Sequence, residues 1–169
     1  MKHWFLIFLT IVVVLSFAGC DKSNDPVVVP DDFSFSLTWG TYGISSYDSA
    51  TGTLIKTTDA TNPADFITAY RLTEEERAYV YGLIRGLDLA SYPEEYDPEN
   101  GLSDPSMTLI LTAVCNGTET TVRAEGIAHS YQSKDPKGQA FLSVCKEIST
   151  LLQSTEEWKA LPPCEVLYD

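Results

Sequence analysis

The chain has 169 residues and carries a net charge of −13 at pH 7. That acidity argues against nucleic acid as a partner, because a phosphate backbone repels a negatively charged surface. A hydrophobic fraction of 44% and an aromatic fraction of 11% are too high for a disordered chain. The length suits one domain with a substantial core.

The first 20 residues are organised like an export signal. One basic residue, Lys2, precedes a mainly apolar run from Trp4 to Phe17, and two small residues then lead to Cys20. The run is shorter than the roughly 20 apolar residues that a membrane-spanning helix needs. This order predicts a signal peptide over residues 1–19 that is cleaved before Cys20. An uncleaved membrane anchor and a signal peptide cleaved elsewhere are the alternatives.

The residues before the predicted cleavage site read Leu-Ser-Phe-Ala-Gly, and Cys20 follows. This stretch resembles the lipobox of bacterial lipoproteins, except that the family prefers Leu where this chain has Phe17. The resemblance implies that Cys20 is diacylated on sulfur and acylated on its new α-amino group. Two or three acyl chains give stable anchoring, whereas one chain binds only marginally. We therefore expect an extracytoplasmic protein of the bacterial cell envelope, anchored to the membrane by lipid on Cys20.

Cleavage would remove Lys2 and no acidic residue, so 10 basic and 24 acidic side chains would remain. Residues 20–32 are polar at both ends and contain two prolines, which favours a tether that begins with the lipidated cysteine. The central Val27–Val29 triplet can instead pack on the domain. Residues 33–169 are expected to form a single α+β domain.

The first part of this domain has the pattern of strands. Phe33 to Trp39 alternates apolar and polar residues, as in a strand with one buried face. Short polar residues and Gly52 then favour a hairpin loop. The predicted strands of this part are Phe33–Trp39, Ile44–Tyr47, Thr53–Thr58 and Phe66–Leu72.

Two stretches have helical signals. Thr73 and Glu76 have the spacing of a capping box, and apolar residues at helical spacing follow, which predicts a helix over Glu74–Gly86. Asp135 and Pro136 are typical of a helix start, and they predict a last long helix. A short helical turn is expected over Thr155–Ala160.

A hairpin lies between the two helices in the sequence. Asn116-Gly117 is a favoured two-residue turn, and it predicts that the strands Met107–Cys115 and Thr118–Glu125 pair. The segment Tyr92–Pro105 has three prolines and is predicted to be a loop. Together these elements predict an α+β fold: an antiparallel sheet of about five strands with two helices packed on one face.

The sequence offers few groups for catalysis. Cleavage would leave His129 as the one histidine, in a loop context, and there is no Gly-x-Ser-x-Gly motif. Cys115, Cys145 and Cys164 lack a Cys-x-x-Cys pair, which argues against zinc. Export would permit a disulfide among them, without a preferred pairing. We assign no catalytic residue and no cofactor.

The predicted loop Tyr92–Pro105, which we call the acidic loop, is the best candidate for a metal site. Asp97, Glu99 and Asp104 are weak candidates for hard oxygen ligands to Ca²⁺. The spacing is not that of an EF-hand, because Gly101 comes one residue early. A solvated acidic loop explains the same residues.

Aromatic residues supply the candidate ligand site. Tyr and Trp suit both sugar stacking and protein interfaces, and the two glycines near Trp39 would let a backbone approach a ligand closely. Core packing is the alternative for aromatic residues in strands. The candidate ligand-binding residues are Trp39, Tyr42, Tyr47, Tyr92 and Tyr96.

From Phe33 to Leu161 the chain resembles small bacterial lipoproteins of uncharacterised activity. The resemblance is carried by Phe-Ser-Leu-Thr-Trp-Gly, Ser-Tyr-Asp-Ser-Ala-Thr-Gly-Thr-Leu, Leu-Asp-Leu-Ala-Ser-Tyr-Pro and the closing Glu-Glu-Trp-Lys-Ala-Leu-Pro. It implies the same localisation, and it transfers no site residues.

Two hypotheses of function follow from the sequence. The first is a non-catalytic module that binds a protein or glycan ligand through its aromatic residues. The second is a small hydrolase that acts on glycans through a carboxylate pair such as Glu95 and Asp97. We favour the binding module, because the chain is short for a glycosidase and neither carboxylate has an apolar sequence context. A Ca²⁺-binding domain is a further alternative.

Overall fold

The computed structural model describes residues 28–42, 44–57, 65–101 and 103–163. The predicted signal peptide, Cys20 and Cys164 lie outside these residues. The elements are β1 (Ser34–Trp39), β2 (Ser45–Asp48), β3 (Thr53–Thr57), β4 (Asp65–Ala69), α1 (Glu74–Leu87), a 3-10 turn (Leu89–Ser91), β5 (Met107–Cys115), β6 (Thr118–Ile127), α2 (Pro136–Gln153) and α3 (Glu156–Ala160).

The strands form one antiparallel sheet in the order β4-β3-β2-β1-β5-β6. This confirms the predicted α+β class, with six strands rather than about five. All of the predicted extended segments join the same sheet, because β4 pairs with β3 and continues the meander at its edge. The tight local hairpins exclude parallel crossovers in this region.

Several element boundaries differ from the prediction for local reasons. β4 ends at Ala69, because the Tyr70 amide bonds to the carbonyl of Gly52 and the chain then turns into α1. β6 continues past Glu125 to Ile127, which pairs with Met107 across a bulge. α1 ends one residue later than predicted, where Asp88 adopts a left-handed conformation with φ 50°.

The core lies between one face of the sheet and the helices. Burial alternates along β1, so that Phe35, Leu37 and Trp39 point inward. On β5, Leu111 is opposite Leu37 and both are fully buried. Burying each of these leucines contributes about 1.5–3 kcal/mol relative to exposure. The helices contribute inward residues to the same cluster, among them Val80, Ile84, Phe141, Cys145 and Ile148.

The start of α1 is joined to the sheet by hydrogen bonds. The predicted capping box is present: Glu76 donates its amide to the Thr73 hydroxyl, and the Glu76 carboxylate accepts from the Thr73 amide at 2.8 Å. The same carboxylate accepts from the Tyr70 hydroxyl at 2.8 Å. Burial acts to raise the pKa of Glu76, but these hydrogen bonds outweigh it and lower the pKa below its ordinary value.

This lowered pKa predicts a loss of stability in acid. The contribution of Glu76 is present above its ordinary pKa near 4.5, and it disappears as the pH falls through the lower folded-state pKa. We expect Glu76→Gln to lower the free energy of unfolding at pH 7 by about 0.5–1 kcal/mol. Urea unfolding measured from pH 7 down to about pH 3 should show a weaker pH dependence in this variant.

Glu75→Gln is the matched control, because Glu75 is exposed in the same helical turn. It removes the same charge without touching Thr73 or Tyr70. Equal effects of the two substitutions on the pH dependence would contradict the assignment to the Glu76 hydrogen bonds.

Candidate functional site

Three of the five aromatic candidates are core residues. Trp39 is 3% exposed, Tyr47 is 1% exposed and Tyr92 is 8% exposed. Trp39 packs on Trp158 with ring centroids 5.5 Å apart. These rings fill the space between sheet and helices, so in this conformation they offer little surface to a ligand in solvent.

Tyr96 is partly buried and attaches the acidic loop to α2. Its ring packs edge-on against Tyr92 at 5.0 Å, and its hydroxyl donates to the carboxylate of Asp135 at 3.2 Å. Burial, and then the Asp135 carboxylate, raise the pKa of Tyr96. Asp135 also caps α2 by accepting from the Gly138 amide at 2.7 Å. Tyr96 therefore contributes to the position of the loop.

Tyr42 is the most exposed of the candidates, at 56%. Its amide donates to the carbonyl of Ser106 at 3.1 Å, which places it beside the acidic loop. Asn100 joins that loop to Ala128 through two hydrogen bonds of 3.0 Å. We call this region the loop end: Tyr42 and residues 97–101, 103–106 and 128–133.

The acidic candidates lie partly in the loop end. The Asp97 carboxylate accepts from the amide of Glu99 at 2.8 Å, and Asp104 is exposed. Within the described ranges, no group of three or more His, Cys, Asp or Glu side chains is arranged to hold a metal ion. Glu95 lies outside the loop end, where it forms an ion pair of 3.6 Å with Arg123 on β6.

The remaining reactive groups are separate from one another. Nε2 of His129 lies 3.0 Å from the carbonyl oxygen of Pro105. Cys145 is fully buried, and burial raises the pKa of its thiol. Cys115 is partly exposed, and both of these thiols are free. No described helix is long and apolar enough to cross a membrane.

The opposite end of the domain receives the N-terminal segment. Nη2 of Arg77 on α1 donates to the carbonyl oxygens of Pro30 at 2.7 Å, Phe33 at 3.0 Å and Asp31 at 3.3 Å. The guanidinium also lies 5.6 Å from the centre of the Phe33 ring. Arg77 therefore holds three carbonyl groups and a ring of the incoming chain at once.

A second contact fixes the same segment to the β5–β6 turn. The Asp32 carboxylate accepts from the amides of Asn116 at 3.0 Å and Gly117 at 2.6 Å. The hydrogen bonds from Gly117 and then Asn116 lower the pKa of Asp32. Val29 packs against the core. The structure thus places residues 29–32, which the sequence assigns to the tether, on the domain.

We call this region the hairpin end: residues 29–33, Arg77 and the turn at Asn116 and Gly117. Two depressions flank Phe33 there. One has a volume of about 210 Å³, is mainly apolar and includes Arg85 and Cys115 in its lining. The other, of about 220 Å³, is lined by Phe33, Phe35, Ser49, Arg71, Leu72 and Arg77.

Sequence reasoning did not find the hairpin end. Arg77 and its carbonyl partners are 44 to 47 residues apart, and no periodic pattern signals a contact between a side chain and a distant carbonyl group. One signal was available: three of the four arginines of this acidic chain lie between residues 71 and 85. No family model matches the chain, and no curated protein shows significant similarity to it.

The contact of Asp32 with the turn predicts a local change in hydrogen exchange. In Asp32→Ala the amides of Asn116 and Gly117 lose their acceptors, so we expect both to exchange faster with deuterium. Asp31→Ala removes the same charge from an exposed neighbour whose carbonyl, and not its carboxylate, contacts Arg77. Unchanged exchange at the turn in Asp32→Ala would contradict the contact.

Close packing of the acidic loop on α2 predicts a steric effect at Gly138. A Cβ atom there would clash with the carbonyl oxygen of Pro98 and would lie 2.7 Å from Oγ of Ser133. We expect Gly138→Ala to lower the free energy of unfolding by roughly 1–3 kcal/mol. In Gly82→Ala on α1 the added methyl meets nothing within 4 Å, so helix propensity should make that variant more stable. Urea unfolding compares the two, and equal stability would contradict the close approach.

Proposed function

We propose that this protein is an extracytoplasmic lipoprotein, anchored to the membrane by lipid on Cys20, whose domain is a non-catalytic binding module. The observation that carries the proposal is the attachment of the N-terminal segment at the hairpin end. The Arg77 side chain donates to carbonyl groups of the incoming chain, and the carboxylate of Asp32 in that chain accepts from the amides of the β5–β6 turn. A domain attached to its anchor in this way has a defined point of attachment.

The position of this attachment distinguishes the hairpin end of the domain from the loop end. β5 has nine residues, so at about 3.4 Å per residue it spans roughly 27 Å. Its last residue, Cys115, adjoins the hairpin end, and its first residue, Met107, adjoins the loop end. With lipid on Cys20, the hairpin end is the end of the domain nearer the membrane.

The loop end is then the surface that the anchor leaves accessible. It carries Tyr42, and its loops are fixed by hydrogen bonds between Asn100 and Ala128 and between Tyr42 and Ser106. An exposed tyrosine on a held backbone supplies contact area at low entropic cost. We propose a protein or glycan as the ligand of this end.

The placement of the carboxylates favours binding over hydrolysis. Glu95 and Asp97 are both exposed. Glu95 pairs with Arg123 and Asp97 holds the amide of Glu99. A glycoside hydrolase needs one carboxyl group whose pKa is raised by apolar surroundings, and neither residue has such surroundings here.

The anchor predicts a clear result for one substitution. Cys20→Ala removes the sulfur that would carry the lipid, so the protein should lose labelling by a radioactive fatty acid and should leave the membrane fraction or stay unprocessed. Cys115→Ala removes a partly exposed thiol and should change neither property. Full labelling and unchanged processing of Cys20→Ala would contradict the proposal.

A further inference from the structure

We propose that the depression lined by Arg71, Arg77 and Ser49 at the hairpin end binds a phosphate-type oxyanion. We call it the basic pocket. The other described residues in its lining are Phe33, Phe35 and Leu72, and its volume is about 220 Å³. The site is independent of the loop end and of any ligand bound there.

The charge of the basic pocket is opposite to that of the chain. The protein has 24 acidic residues and only four arginines, yet two of those arginines line this one pocket, and none of the six described residues in its lining is acidic. Among the described residues, the ion pairs involve Arg123 and Lys159, and neither Arg71 nor Arg77 takes part in one. Two arginines that line one depression, and that form no ion pair among the described residues, give it a positive charge that attracts an anion.

Arg77 is held in place without losing its charge. Its three hydrogen-bond partners are backbone carbonyl groups, which are neutral, and all three bonds come from Nη2. A guanidinium has five N–H donors, so Nε and Nη1 keep theirs for a ligand. Asp32 is near enough for Arg77 to contribute to lowering its pKa, but the Asp32 carboxylate bonds to the turn amides instead.

Arg71 and Ser49 complete the donor set. The stem of Arg71 passes over Gly52, where a Cβ atom would lie 3.1 Å from its Cγ; glycine at that position leaves room for the arginine. Oγ of Ser49 accepts from the amide of Phe35 at 2.7 Å, which leaves its hydroxyl hydrogen available to a ligand. The pocket therefore offers donors from Ser49 in the β2–β3 turn, from Arg71 before α1 and from Arg77 in α1.

This donor set indicates the chemistry of the ligand. Arginine binds phosphate through parallel N–H bonds, and the phenyl and leucine side chains offer an apolar wall for carbon atoms attached to the anion. Two sources carry such a group: the headgroup of a phospholipid and free phosphate. A phospholipid headgroup as the ligand rests on the proposed anchor, which would bring the hairpin end near the bilayer. The oxyanion site itself does not depend on the anchor.

Titration of the full-length protein in nonionic detergent with inorganic phosphate tests the site. Isothermal titration calorimetry at constant ionic strength should show saturable binding, and Arg71→Ala should weaken it by about tenfold or more. Arg71 is exposed, so this substitution leaves the core intact, and circular dichroism checks the fold. Arg123→Ala removes the same charge from β6, outside the pocket, and should bind phosphate like the parent protein.

Glycerophosphoglycerol, the soluble headgroup of phosphatidylglycerol, separates the two sources. Tighter binding than inorganic phosphate, despite its lower charge, supports the headgroup; weaker binding supports free phosphate. Absence of saturable binding of both compounds at millimolar concentration would overturn the proposal. Equal affinities of the parent and Arg71→Ala would also overturn it. Neither titration depends on Cys20. The titrations therefore test the oxyanion site alone, and the labelling of Cys20→Ala tests the lipid anchor alone.

Discussion

Arg77 determines how the chain enters the folded domain. β1 lies inside the sheet between β2 and β5, so the residues held by Arg77 lead directly into a central strand. Nη2 of Arg77 donates to the carbonyl groups of Pro30, Asp31 and Phe33. The Asp32 carboxylate accepts from the amides of the β5–β6 turn. A charged donor and a charged acceptor both bond to neutral backbone groups here, and such bonds are stronger than neutral ones.

The same contacts relate the architecture to the proposed function. Because the chain arrives where β5 ends, the elements divide between a hairpin end near the proposed anchor and a loop end about one strand length away. The helices cover one sheet face, and most of the aromatic residues that the structure describes lie in the core or pack against it. The two arginines that line the basic pocket carry positive charge on a chain whose net charge is −13. We therefore propose anchoring and oxyanion binding for the hairpin end, and ligand contact for the loop end.

The sequence predicted the elements well, because they depend on local signals. Alternation marked β1, the Thr73–Glu76 spacing marked α1, and Asn116-Gly117 marked the β5–β6 turn, and the structure contains each of them. The burial of three of the five aromatic candidates was less evident. Trp39 continues the alternation of Phe35 and Leu37, so the pattern that identified the strand also placed this ring in the core. The hairpin end escaped prediction because its contacts join residues more than 40 positions apart.

We predict that the hairpin end of the lipid-anchored protein lies nearer the bilayer than the loop end, and energy transfer to the membrane measures this. In a background that carries Cys115→Ser and Cys164→Ser, a donor dye would be placed on a cysteine introduced at Thr118, beside the hairpin end, or at Ser130 in the loop end; both positions are exposed. With the lipidated protein in vesicles that carry acceptor dyes on their headgroups, we predict greater transfer from residue 118. Equal transfer from the two positions, or greater transfer from residue 130, would contradict an orientation with the hairpin end toward the bilayer.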